Sequence, residues 1–147
     1  MNAPFDFDIT PSHGTQRAWL PVVTSRVPPI HRGCLAPWQI KRVRLYIETN
    51  LAQRLATVDI APVVNLSTSH FCRAFKRSFG FTVHRYVMHR RVEKAQDLML
   101  RTADELSQIA VVCGMSDQSH LTRWFRRVVG ETPGAWRRAR FEPQRQA

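Results

Sequence analysis

Acidic residues are scarce in this chain: 11 Asp and Glu stand against 22 Lys and Arg, a formal net charge of +11. With few carboxylates, no glycine-rich phosphate loop and no Cys/His or Ser/His pair in a nucleophile setting, an enzyme is not expected. Cysteine is nearly absent. Cys34, Cys72 and Cys113 are too few and too scattered for a disulfide framework. Without a C-x-x-C pair, a structural zinc site is not expected either. No basic start leads into a signal-type apolar stretch, and no apolar run approaches membrane-spanning length. The expectation is a reduced, cytoplasmic protein with no membrane partner.

What is present is an apolar fraction of 44%, enough for a core, and an uneven distribution of charge. Residues 1–35 hold three arginines and two aspartates, a net of +1, which leaves +10 for residues 36–147. Such an excess fits a polyanionic partner, because each phosphate neutralised by Lys or Arg releases condensed counterions. It fits a merely soluble basic surface as well, and charge alone does not decide between them.

Six of the nine prolines fall in the first 37 residues, so residues 1–35 read as an irregular Pro-rich arm. Phe5, Phe7, Trp19 and Leu20 give part of it the means to dock on the body. From Pro37, tolerated in a first helical turn, the pattern becomes helical. Ile40, Val43, Leu45, Ile47 and Leu51 predict a partly amphipathic helix ending near Asn50. A short helix is expected over about Asp59–Val64 with Thr57 as cap, then one from Ser67 to Gly80. A long helix follows from about Thr82 to Arg101, with Val83, Val87, Val92, Ala95, Leu98 and Met99 near one face. Asp104 is expected to begin a short helix through Val112. Ser116 or Asp117 caps another that stops at Gly130, and Thr132-Pro133 opens the last. No segment alternates as a strand. The fold class is all-α, with about seven helices.

The strongest signal is an internal repeat. HFCRAFKRSFG at 70–80 matches HLTRWFRRVVG at 120–130, pairing His70/His120, Arg73/Arg123, Phe75/Phe125, Arg77/Arg127 and Gly80/Gly130. Upstream, IAPVVNLS at 60–67 aligns with IAVVCGMS at 109–116. Each copy reads as a short apolar helix, a tight turn and a second helix. The turn residues are Asn65 and Gly114, both tolerant of left-handed backbone. Leu66 and Met115 follow as apolar plugs. Phe71/Phe75/Phe79 and Leu121/Phe125/Val128 make the inward stripes. Ser69, Cys72, Arg73 and Lys76, and in the other copy Gln118, Ser119, Thr122 and Arg123, then face outward. Arg can take guanine bidentately and Gln adenine, while small residues allow close approach to a major groove. Two idle helical hairpins with basic surfaces are the plainer reading, but a duplicated unit with matched arginines makes it the weaker one.

These residues resemble the AraC/XylS family of bacterial transcription regulators over about residues 36–140. The most specific stretch is IAVVCGMSDQSHLTRWFRRVVGETPGAWRR, closed by Gly130, Pro133, Trp136 and Arg137. RVEKAQDLML resembles the family's linking helix, with Arg91, Ala95 and Leu98 at the expected spacing. The resemblance implies two helix-turn-helix subdomains, at about 57–80 and 104–130, joined by a long linking helix over 82–101, with a tail at 141–147. It implies sequence-specific binding to double-stranded DNA by two recognition helices in successive major grooves, without enzymatic activity or cofactor. The base-reading residues it implies are Ser69, Cys72 and Arg73, then Gln118, Ser119, His120 and Arg123. Lys76, Arg77, Arg85, Arg126 and Arg127 are candidates for the DNA backbone. A monomer on DNA is expected, with RNA polymerase a further candidate partner. Two departures stand out. Pro62 lies inside the first short helix, so that unit should begin late or be weaker than its twin. The first 35 residues cannot form a sensing domain, which resembles the short, stand-alone members or else a truncated relative.

Other residues carry two readings. His70 and His120 suit either a phosphate contact or helix packing. Trp38, Trp124 and Trp136 are expected in the core or between subdomains rather than as base-stacking platforms. Arg85, Arg90, Arg91 and Arg101 could touch phosphates, or Arg91 could be buried and paired with Glu93 or Asp97. A non-specific nucleic-acid binder and a protein-interaction module are the alternative functions.

Overall fold

Local chemistry at the helix starts sets the architecture of the computed structural model, which describes residues 33–141. The arm expected over 1–35 lies outside the described residues except for 33–35, and the tail over 141–147 except for residue 141. Seven α-helices and no strand occur among the described residues.

Helix α1 spans Pro37–Thr49 with proline in its first turn, and Gln39 Oε1 accepts from the Ala36 N–H at 2.9 Å. Val43, Ile47 and Leu51 of its apolar run are buried, but Leu45 is 67% exposed. Two residues turn a helix by about 200°, so Leu45 points away from the face that Val43 and Ile47 share. The first short helix, α2, covers only Thr57–Ile60 and passes into a 3-10 turn over Ala61–Val64. It does not begin late, as Pro62 led us to expect. The proline falls in the first turn of the 3-10 segment, where its missing N–H costs no α-helical bond.

Helix α3 (Thr68–Phe79) is capped by Ser67 and closed by Gly80 at φ 76°, and α4 (Val83–Arg101) is capped by Thr82. Helix α5 (Leu106–Val112) begins two residues later than the expected Asp104. Glu105 takes the cap position instead, with its N–H held by Gln108 Oε1 at 3.3 Å. Helix α6 (Gln118–Val129) starts at Asp117, whose carboxylate accepts from the His120 N–H at 2.7 Å, and ends at Gly130. Helix α7 (Pro133–Phe141) follows Thr132, whose hydroxyl accepts from the Ala135 N–H.

Two cores result, and α4 supplies both. Val83, Tyr86 and Val87 join Val43, Ile47, Ile60, Phe71 and Phe75 in the first. Met88, Val92, Ala95 and Met99 join Ile109, Leu121, Phe125 and Trp136 in the second. Leu35 already belongs to the first core, and its N–H donates to Ser78 Oγ at 2.8 Å. Trp136 is buried and Trp124 half-buried, whereas Trp38, expected in the core or between subdomains, is 51% exposed and lies outside the core. None of the helices described is long and apolar enough to cross a membrane.

Arg91 is buried, but neither carboxylate expected to pair with it does so. Glu93 bonds Arg90, which also holds Glu48, and Asp97 bonds Arg101. Arg91 instead donates from Nε to the Leu51 carbonyl at 3.0 Å and from Nη2 to the Gln53 carbonyl at 2.7 Å. Its side of α4 turns inward with Met88, Val92 and Ala95. The acceptors there are backbone oxygens at the end of α1.

The glycines that close turns differ sharply in their surroundings. Both Gly130 (φ 93°) and Gly114 (φ 79°) are left-handed, but a Cβ at Gly130 would meet nothing within 4 Å. One at Gly114 would overlap the Leu51 carbonyl oxygen and lie 3.1 Å from the Ala52 carbonyl carbon. Gly130→Ala should therefore cost only the left-handed penalty, about 1 kcal/mol. Gly114→Ala adds the overlap and should cost about 3 kcal/mol. Equal losses in denaturant unfolding would show that the Leu51 contact does not constrain this turn.

Candidate nucleic-acid interface

Each half of the repeat builds the same turn from different residues. In the first, Asn65 adopts φ 57°, the left-handed value that asparagine tolerates, and the Leu66 N–H reaches back to the Ala61 carbonyl at 3.2 Å. In the second, Gly114 takes that position and the Met115 N–H reaches the Ala110 carbonyl at 2.9 Å. Met115 is buried and Leu66 half-buried, so the plugs sit between their helices as the spacing predicts.

Helices α3 and α6 are each anchored by an apolar inner face. Phe71, Ala74 and Phe75 are buried in α3. The Phe71 and Phe75 rings meet edge-on at 5.5 Å, and Phe75 stacks on Phe79 at 4.2 Å. Leu121 and Phe125 are buried in α6, with Phe125 edge-on to Trp136 at 5.7 Å.

The opposite faces are open. Ser69, Cys72, Arg73 and Lys76 are all exposed on α3, one stripe at helical spacing, with Arg77 exposed beside it. On α6 the matching stripe is Ser119, Thr122, Arg123 and Arg126, with Gln118 and Arg127 exposed and Thr122 half-buried. Arg73 and Arg123 sit two residues before their buried phenylalanines, hence about 200° round the helix from them. The two stripes thus match in serine and arginine. They differ at Cys72/Thr122, at Lys76/Arg126, and at Thr68/Gln118 in the first turn.

His120 stands apart from the residues grouped with it. It is half-buried, and its Nδ1 lies 3.1 Å from Ser116 Oγ, so the ring leans back over the turn. Burial, and then the positive charge of Arg123, push its pKa below the ordinary histidine value. Asp117 is lowered by the His120 N–H it accepts, then by the Ser116 hydroxyl. Sequence reasoning gave Ser116 or Asp117 as the cap, of which Asp117 is the one, but not the Ser116–Asp117–His120 network, which depends on side-chain rotamers.

Basic residues flank the stripes on aromatic supports. The Arg85 guanidinium lies over the Phe81 ring, 5.0 Å from its centroid, and that of Arg127 over Trp124 at 5.2 Å. His84, from the first turn of α4, meets the Trp124 ring edge-on at 5.7 Å, which joins the linking helix to α6. Arg77 packs against the Gly33 backbone. Arg90 and Arg101 are taken up by carboxylates and Arg91 by backbone carbonyls, so of the four arginines considered on α4, Arg85 is the exposed one without a carboxylate in the ion pairs found. Among the described residues no cluster of three His, Cys, Asp or Glu is placed to hold a metal.

Comparison with known proteins agrees with this geometry. A helix-turn-helix domain family matches residues 60–139, more than half of the chain. The probable transcriptional regulator LumQ of Photobacterium leiognathi is 36% identical over 88 residues, covering 60% of this chain and 36% of that protein. The chain spans about a third of the length of such curated relatives. An AraC-type DNA-binding domain protein from Chromobacterium violaceum superposes with a TM-score of 0.67 at 28% identity, over 71% of this chain and 94% of that one. The DNA-binding domain of AdpA, solved with a target DNA, gives 0.64 at 26% identity, over 71% and 96%. A matched pair of helix-turn-helix units on one shared helix, in a chain aligned across most of its described length, places it: the chain belongs to the AraC/XylS family of helix-turn-helix transcription regulators.

Proposed function

We propose that this chain regulates transcription by binding a specific double-stranded DNA site, with α3 and α6 in successive major grooves. The observation that carries the reading is the pair of matched outward stripes, each ending a well-anchored helix-turn-helix. Ser69, Cys72, Arg73, Gln118, Ser119 and Arg123 are the base-reading set, with the guanidinium groups best suited to guanine. His120, drawn back to Ser116, steadies the start of α6 and reaches the DNA only at its edge. Lys76, Arg77, Arg85, Arg126 and Arg127 neutralise phosphates. The AdpA domain, of the same fold, is solved with its target DNA, which supports this placement. One chain holds both recognition helices, so a monomer suffices on DNA. RNA polymerase is the further partner on which such a regulator would act.

The tandem units should select an asymmetric site of two elements about 10 bp apart, read differently where Gln118 replaces Thr68 and Thr122 replaces Cys72. Site selection from random DNA gives the sequence, and a perfect palindrome bound by two chains would count against it.

On the selected site, Arg123→Ala should cost about 1–3 kcal/mol and relax preference at one base position. Arg85→Ala should weaken selected and random DNA alike and flatten the salt slope by about one unit. Binding of both variants to both DNAs at one salt concentration is the measurement. Equal losses for Arg123→Ala on the two DNAs would favour a non-specific nucleic-acid binder instead.

A further inference from the structure

Three parts of the molecule meet at one buried charge. Arg91 is the one charged side chain buried among the described residues, and it projects from α4. Both carbonyls it bonds, those of Leu51 and Gln53, belong to the loop that leaves α1 in the first unit. Its Nη2 also lies 3.0 Å from where a Cβ at Gly114 would stand, in the turn of the second unit. The Leu51 carbonyl oxygen would overlap that same Cβ. The first unit's loop, the second unit's turn and the linking helix are therefore in mutual contact.

An apolar side chain of similar volume would avoid burying a cation without a carboxylate partner, but it would leave the Leu51 and Gln53 carbonyls without this donor. Burial indeed lowers the Arg91 pKa. What arginine adds is direction. Its rigid fork sets two carbonyls of the loop after α1 at once. Bonds of that kind fix the loop, and with it α1 and the first unit, against the turn from which α6 departs.

We propose that Arg91 is a positioning residue that fixes the separation and rotation between α3 and α6, and so selects the spacing of the two DNA elements. The proposal rests on the DNA reading above and deepens it. One base pair inserted between the elements moves the second by about 3.4 Å and about 35° around the duplex. A pair of recognition helices locked to one another meets that change only by losing contacts. A pair free to swing about α4 follows it.

The test uses the full chain and four DNAs: the selected site, the site with one base pair added between its elements, the site with one element scrambled, and random DNA. Wild type should lose at least about tenfold on the lengthened site, equivalent to about 1.4 kcal/mol. Arg91→Met should lose less than about threefold on lengthening while its binding to the single remaining element stays within about twofold of wild type. A variant damaged only in stability would weaken on every DNA in proportion and keep the wild-type spacing ratio, and that result overturns the proposal. If Arg91→Met does not hold its fold by circular dichroism, Arg91→Lys carries the test. It keeps the charge but not the fork, and its spacing ratio should fall between the two. A wild-type ratio in Arg91→Lys would then overturn the proposal. A wild type that binds selected and random DNA equally would instead remove the DNA reading, and this proposal with it.

Discussion

Helix α4 serves two hydrophobic cores, and the rest of the molecule depends on that sharing. Its first turns, through Val83, Tyr86 and Val87, complete the core around Phe71 and Phe75. Its later turns, from Met88 to Met99, complete the core around Leu121, Phe125 and Trp136. Neither core closes without the helix. A unit of three short helices this small buries too little apolar surface to be stable by itself. Joining both to one rod lets each borrow what it lacks. The same rod, with the Leu51 loop set against the Gly114 turn, then carries the mechanical relation between them.

The outward faces depend on this inward economy. An exposed arginine on a short helix has no fixed direction unless the opposite face is held, and the stacked and edge-on rings of Phe71, Phe75, Phe79 and Tyr86 hold α3. Phe125 and Trp136 do the same for α6. Capping by Ser67 and Asp117 fixes where each helix begins, and hence which residues fall on the open stripe. Precision at the surface is inherited from aromatic packing beneath it.

Much of this was legible in the sequence because the repeat reports it twice. The turn residues Asn65 and Gly114, the Ser67 cap, a cap at Ser116 or Asp117, and the inward phenylalanines follow from local rules of backbone and helical period. What stayed hidden depends on distant partners. For Arg91 the sequence offers phosphates or the carboxylates of Glu93 and Asp97, because only side chains leave a mark in a sequence; its acceptors are backbone carbonyls, which every residue possesses. The size of Trp38 suggests a place in the core or between subdomains, yet its register on α1 leaves it half exposed. Pro62 was read as a defect in an α-helix, whereas the chain changes to a 3-10 turn at that point. Of the site residues, His120 carries a contact that the repeat does not announce, its Nδ1 lying 3.1 Å from Ser116 Oγ.

The tight space between Gly114 and the Leu51 carbonyl makes the two turns unequal as building blocks. Interchange between them runs in one direction only. The second turn, with glycine, could stand in the first position at the cost of some chain entropy alone. The first turn, with Asn65, could not stand in the second, because its Cβ would occupy the space of the Leu51 oxygen. The turn without a side chain is therefore the one that lies at the junction with the neighbouring unit.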